Sequence, residues 1–495
     1  MQLILDLDRL GERPLQVQIY EAVRQMILAG SLAAGQKLPS SRSLAEQINV
    51  ARNTVSHAYE RLASEDYIAA KARSGIFVND RLPETAVLVR NTGAATIETG
   101  KRIRLGANPS FTGRAPKLWS ERALRPKFDF FVGRPHPSSF PSNFWRRSIA
   151  RNLQIAHQAQ TEYGDPRGIP GLRSTIAAHL RDTRGIDAGA EQIVITSGIQ
   201  GALNLLARIF LSGRMQPSVA VENPCYQGAA FLFNSYGARL KPIDVDEFGA
   251  VVSQLEDFSG NLVYVTPSHQ FPTGYTMSLD RRLHLLDWAY RTGSYVIEDD
   301  YDSDFRYDGL PLTALAGLDR RGAVIYLGTF SKSIGAGLRL GYAVLPRHLL
   351  DQADIVKTLL DNGSPWLEQM VVAEFLKEGA FTRHLRRLRR SYMASRNALV
   401  DTIARHFPGS TVSGKECGMH VMWMLPPDLP AAADIHAVAL SCDVGLYPLA
   451  MAGALEQGNL KRFSDRSLVV GYTALSGTEI ETALNRVSRK LNGTD

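Results

Sequence analysis

Lys332 lies in Thr329-Phe-Ser-Lys-Ser-Ile-Gly-Ala-Gly-Leu-Arg-Leu-Gly341, a run with hydroxyls at Thr329, Ser331 and Ser333, glycines, and a guanidinium at Arg339. Hydroxyls, glycine N–H groups and an arginine suit the grip on a phosphate, and a lysine amine can attack a carbonyl. Together they point to a pyridoxal phosphate site. A second chemical group is Glu298-Asp-Asp-Tyr-Asp302, where an apolar run enters consecutive acids. Carboxylates at a buried strand end need positive partners. Asp299 opposite a protonated pyridine nitrogen would meet that need, and Tyr301 would donate to the cofactor's phenolic oxygen; a solvated acidic loop is the simpler alternative. Upstream, Thr196-Ser-Gly-Ile-Gln200 sits between an apolar run and a helical pattern. The N–H groups of Gly198, Ile199 and Gln200 would face a phosphate there, although a plain capped helix has the same pattern. Tyr226 offers a flat face for a cofactor ring or a side chain for core packing.

These residues need strands to hold them. Ala323 to Leu327 reads as a buried parallel strand ending at Gly328-Thr329, which places Lys332 just past its carboxyl end, where α/β sheets carry their chemistry. Three further strands are expected: from Gln192 into the Ser197-Gly198 turn, from Val219 to the turn before Tyr226, and from Leu262 to the Pro/Gly turn before Gly274. A fourth, from Ser294, runs into the acids.

At 495 residues the chain is long enough for about three domain-sized units. Acids rather than bases follow Met1, and no apolar run approaches a membrane span, so a cytoplasmic location is expected. Cys225, Cys417 and Cys442 are scattered without metal spacing; reduced thiols and no metal are expected. The formal charge of +7 is uneven: from Arg81 to Phe128, ten bases face three acids. That stretch has no sustained period and reads as a basic linker, either a solvated connector or a segment lying along DNA.

The first eighty residues follow a different plan. Pro14 to Leu32 carries a helical apolar stripe. Leu38-Pro-Ser-Ser-Arg-Ser-Leu-Ala-Glu-Gln-Ile-Asn49 predicts a short helix with a serine cap, and Ala51 to Glu65 a second one with Val55, Ala58, Tyr59 and Leu62 inside. Asp66 to Val78 predicts a hairpin with Lys71, Arg73 and Gly75 at its tip. Two short helices, a tight turn and polar residues at the start of the second have the form of a helix-turn-helix.

From Leu38-Pro-Ser-Ser-Arg through Arg52-Asn-Thr-Val to Ser74-Gly-Ile-Phe-Val, this region resembles the winged helix-turn-helix of the GntR family of bacterial regulators. The resemblance implies that Arg42, Arg52 and Thr54 touch phosphates and base edges and that Arg73 and Gly75 reach the minor groove. Ser268-His-Gln-Phe-Pro-Thr-Gly274, Glu298-Asp-Asp-Tyr-Asp-Ser303 and Gly328-Thr-Phe-Ser-Lys332 in turn resemble the fold-type I aminotransferases. The whole chain resembles a MocR/GabR-type regulator. The implied fold is a winged helix-turn-helix (α+β) over 1–80, a basic flexible linker over 81–125, and α/β aminotransferase-like large and small domains over 126–495. Lys332 would form the internal aldimine and Asp299 would pair with the pyridine nitrogen. Tyr301 would contact the phenolic oxygen and Tyr226 would stack on the ring. Gly198, Ile199, Gln200, Thr329, Ser331 and Arg339 would hold the phosphate. Tyr163 would reach the phosphate of the neighbouring subunit, making a homodimer, head-to-tail, part of the site.

Two departures separate the sequence from true aminotransferases. Phe271 replaces their asparagine near the phenolic oxygen, and Val469 takes the place of the arginine that pairs with the substrate carboxylate, with Arg466 close but out of register. The basic run Arg383-His-Leu-Arg-Arg-Leu-Arg-Arg390 reads as a small-domain helix in preference to a DNA contact. The expected function is a pyridoxal phosphate-dependent transcriptional regulator that binds promoter DNA and senses an amine effector or pyridoxal phosphate itself. The alternative is an aminotransferase with an accessory domain.

Overall fold

The structure, a computed structural model, describes residues 3, 5, 7–8, 13–71, 74–80, 113–116, 125–155, 161–308, 312–458 and 461–493. The chain divides into two compact units, Met1–Pro109 and Ser110–Asp495. Most of the expected linker, 81–125, lies outside the described residues, as does Arg73.

In the smaller unit, helices Leu15–Leu28, Ser41–Ile48 and Arg52–Ser64 close over a core that includes Ile19, Val23, Ile27, Leu44, Val55 and Leu62. Ser40 caps the second helix by accepting from the Ser43 N–H, and Asn49 ends it in the left-handed conformation that a short polar side chain tolerates. Strands Ile68–Lys71 and Gly75–Val78 form the expected antiparallel hairpin. Lys37–Leu38 adds a third strand, pairing with Phe77 and Ile76. Two residues carry too little pattern to announce a strand.

The larger unit is built on an eight-stranded sheet. Its spatial order is Ile193–Thr196, Gly341–Val344, Val324–Thr329, Tyr295–Asp300, Leu262–Val265, Ser218–Asn223, Arg239–Asp246 and Gly249–Ala250. The central pairs are parallel, and nearly all residues of Ser218–Asn223, Leu262–Val265, Tyr295–Asp300 and Val324–Thr329 are buried on both faces, which explains their apolar runs. The strand before Lys332 extends two residues beyond the expected Leu327, to Thr329, and it is antiparallel to Gly341–Val344 on its other side. A second lobe carries the four-stranded sheet of Thr411–Ser413, His420–Met424, Ser467–Gly471 and Tyr447–Pro448. The long helix Ala380–His406 contains the basic run and buries Leu385 and Leu388, packing on Gly477–Leu491. The three cysteines are free, with Cys225 and Cys417 buried. No helix among the described residues is long and apolar enough to cross a membrane.

Candidate functional site

At the carboxyl ends of the central strands a cavity of about 660 Å³ opens, within the range of small-molecule sites. Lys332, three residues beyond its strand, reaches into it, and its Nζ donates to the Gly133 carbonyl at 3.3 Å. Gly133 has φ +71°, and a Cβ there would lie 2.3 Å from that Nζ. The absence of a side chain makes room for the amine. Burial lowers the Lys332 pKa, with Arg339 acting the same way and Asp302 and Asp299 opposing. A lowered pKa leaves more of the amine neutral and nucleophilic.

Asp299 is the penultimate residue of its strand and is buried. Its Oδ2 accepts from the Tyr264 hydroxyl at 2.6 Å, whereas Oδ1 is buried with no partner. Burial pushes the carboxyl up to about 7, against the pull of the Tyr264 hydrogen bond. A buried acceptor without a donor is costly. A protonated ring nitrogen would satisfy it.

On the phosphate side, Gly198 has φ +79° and starts helix Ile199–Leu211. A Cβ on it would lie 3.2 Å from Arg339 Nη2, which donates to the Ser197 carbonyl at 2.9 Å. Glycine lets the guanidinium close on the helix N-terminus. Ile199, Gln200, Thr329, Ser331 and Arg339 all line the cavity, and Thr329 Oγ1 accepts from the Ser331 N–H. Tyr226 forms another part of the wall, edge-on to Phe271. Its neighbour Gly228 is again a fit: a Cβ there would strike the Tyr226 ring at 2.4 Å.

The structure therefore brings Lys332, Asp299, Tyr226, Tyr301, Ile199, Gln200, Thr329, Ser331 and Arg339 to one cavity, with Gly198 behind Arg339. Tyr301 lines it with its hydroxyl donating to the His269 carbonyl at 3.0 Å. Tyr163 is not among the lining residues; it is 89% exposed. Val469 is packed with Phe271, Met422, Leu449 and Phe463. Arg466 donates to the carbonyls of Leu429 and Pro426, so it supplies no carboxylate clamp here.

A buried polar cluster beside the cavity was not anticipated. His269 Nδ1 lies 2.9 Å from Asp302 Oδ2, and His420 Nε2 donates to the Pro272 carbonyl at 3.2 Å. Burial, then the neighbouring His269, lowers His420 to about 3, leaving it neutral. Ligand atoms of these three residues lie within 4.8 Å of one another, spacing that also suits a metal; His269 Nδ1, Asp302 Oδ2 and His420 Nε2 are engaged in hydrogen bonds, whereas His269 Nε2 and Asp302 Oδ1 are buried without a partner. His269 and Asp302 belong to runs singled out in the sequence; nothing there marked His420.

In the smaller unit Arg42 is exposed and pairs with Glu46 at 3.2 Å on the second helix. Arg52 is the exposed first residue of the third helix, and Thr54 is half-buried in its first turn. Gly75 has φ +119°, with Lys37 close enough that a Cβ would lie 2.8 Å from its Cε. Arg42, Arg52, Thr54 and Gly75 thus lie on a compact three-helix and hairpin frame.

Comparison with known proteins matches residues 130–450 to the family described as aminotransferase class I and II, and residues 15–78 to bacterial regulatory proteins of the gntR family. The probable rhizopine catabolism regulatory protein MocR of Rhizobium meliloti is 35% identical over 425 residues, covering 85% of this chain and 83% of the relative. The pyridoxine biosynthesis transcriptional regulator PdxR of Corynebacterium glutamicum is 31% identical over 435 residues, covering 86% and 87%. Among solved structures, the Pyrococcus horikoshii kynurenine aminotransferase complexed with PMP superposes with a TM-score of 0.67 at 28% identity, covering 75% of this chain and 92% of that one.

Proposed function

The chain belongs to the MocR-type regulators, in which a gntR-type reader is joined to an aminotransferase class I and II unit, and from that premise we propose that an amine at Lys332 controls its binding to DNA. It is a transcriptional regulator that binds DNA through its N-terminal unit. The observation that carries the sensing role is that half-buried Lys332, with a lowered pKa, and buried Asp299, with an unpartnered oxygen, face one cavity.

Pyridoxal phosphate fits these residues, and when bound it would supply an aldehyde that captures a primary amine. Ile199, Gln200, Thr329, Ser331 and Arg339 would hold its phosphate through the helix N-terminus and the guanidinium. Asp299 would accept a hydrogen bond from the protonated ring nitrogen, Tyr226 would cover the ring face, and Tyr301 would stand near the phenolic oxygen. An amine-bearing effector would compete with Lys332, whose Nζ has the Gly133 carbonyl as its resting partner. The effector acts on DNA only if its affinity differs between two arrangements of the protein. Val469 in apolar packing and Arg466 turned to backbone carbonyls favour sensing over turnover of amino acids.

Lys332→Ala is expected to abolish the cofactor's visible absorbance and the effector response of DNA binding while keeping DNA binding itself. Operators selected from random duplex pools serve as the DNA. Unchanged absorbance and unchanged effector response in the variant would refute the reading.

A further inference from the structure

Lys332 owes its place to more than its own strand. The turn that carries it folds back on itself, with the Ile334 and Gly335 N–H groups both donating to the Phe330 carbonyl. One turn of helix Ala380–His406 holds that fold from outside. Phe381 meets the Phe330 ring edge-on at 6.0 Å, and His384, 5% exposed, has its Nε2 2.8 Å from the Ser333 carbonyl. The tautomer follows from the partners. Arg387 Nη2 lies 3.2 Å from His384 Nδ1, and a guanidinium only donates, so Nδ1 accepts and Nε2 carries the hydrogen. Burial lowers the His384 pKa, against the pull of the Ser333 carbonyl, in keeping with this neutral form.

The same helix reaches the two other segments that build the site. Arg387 also donates to the Ser139 carbonyl at 3.3 Å, six residues after Gly133. Arg389 Nε donates to the Asp304 carbonyl, just past Asp299 and Tyr301. His384, Arg387 and Arg389 therefore tie together the segments that bring Lys332, Gly133 and Asp299 to one cavity. His384 itself is not among the lining residues, so it acts through the loop and not on a ligand.

We propose that His384 is a positioning residue for Lys332: its N–H fixes the Ser333 carbonyl, and with it the backbone that aims the neighbouring lysine into the cavity. This rests on the reading of Lys332 as the amine-exchanging residue. A tethered amine competes with a free one through its effective concentration, which rises as its backbone is confined to the productive geometry. His384 thereby sets how much effector is needed to displace Lys332.

The test uses the full-length, cofactor-loaded protein, follows the absorbance of the cofactor joined to Lys332, and takes methylamine as the probe. His384→Leu keeps a buried side chain and removes the N–H. Methylamine should then displace Lys332 at about two- to tenfold lower concentration, the size of one hydrogen bond. His384→Gln, whose amide N–H can reach the same carbonyl, should return the midpoint toward that of the unmodified protein. Pyridoxine 5'-phosphate has no aldehyde and cannot join a lysine; by calorimetry it should bind all three proteins equally well. An unchanged methylamine midpoint in His384→Leu overturns the proposal, as does a glutamine variant that behaves like the leucine one. A parallel loss of pyridoxine 5'-phosphate affinity in His384→Leu also overturns it, because the residue would then merely support the cavity. If the unmodified protein forms no absorbance that depends on Lys332, the Lys332 reading fails and this proposal with it.

Discussion

Asp299 is a carboxyl held ready for a cation, and its electrostatics give a test that needs no cofactor. Burial raises its pKa to about 7 from the ordinary value of 3.8, despite the Tyr264 hydrogen bond. Between those values the folded protein binds more protons than the unfolded chain, so stability falls as pH rises through about 4 to 7. Glu222, raised by burial to about 7, acts in the same direction. Asp299→Asn keeps an acceptor for Tyr264 and removes the buried charge. In cofactor-free protein it is expected to raise the thermal midpoint, with a gain that grows from pH 5 to pH 8; a lower midpoint at pH 8 would contradict the assignment. Gly133→Ala is the complementary change. Its Cβ would crowd Lys332 Nζ, so cofactor absorbance should fall at least tenfold in affinity while the midpoint of cofactor-free protein stays within a few degrees. Lys332 and Asp299 were legible because each comes shortly after an apolar run in its own local sequence. Gly133 and His420 were not, since what they touch lies far away in the chain: Lys332 for one, Pro272 for the other.

Among the elements, the helix that begins at Arg52 is the part of the small unit that a DNA groove would receive. Its inner stripe of Val55, Ala58, Tyr59 and Leu62 is buried as the sequence indicated, which leaves Arg52 at the exposed N-terminal end. Arg42 is less free, because Glu46 pairs with it one helical turn on. Exposed pairs of this kind contribute roughly 0–1 kcal/mol. Glu46→Ala is therefore expected to tighten operator binding by a few-fold, and Arg52→Ala to weaken it by tenfold or more, both without changing cofactor affinity. Fluorescence anisotropy at several salt concentrations would check both, and a tighter complex with Arg52→Ala would rule out its contact. The helices and hairpin could be placed from apolar period and turn residues. The strand Lys37–Leu38 could not, because its partner, Gly75–Val78, is supplied by the hairpin nearly forty residues away.

At the scale of the whole molecule, Tyr163 is an aromatic side chain that the single chain leaves almost wholly in solvent. It is 89% exposed and stands outside the Lys332 cavity. We propose that it reaches the phosphate of a neighbouring subunit, as the family resemblance implies, so that a homodimer would complete the site. Mixing two damaged chains tests this. In a Lys332→Ala homodimer neither site has its amine, and in a Tyr163→Phe homodimer each phosphate lacks one hydroxyl. A hydrogen bond to a charged group contributes roughly 1.5–3 kcal/mol, so the second homodimer should bind pyridoxal phosphate about ten- to a hundredfold more weakly. In the mixed dimer the Tyr163→Phe chain keeps Lys332 and receives an intact Tyr163 from its partner. One site per mixed dimer should then regain full affinity, read as absorbance that saturates at half the stoichiometry of the unmodified protein. If Tyr163 served its own chain, mixing would restore nothing, because the chain that keeps Lys332 would still lack its hydroxyl.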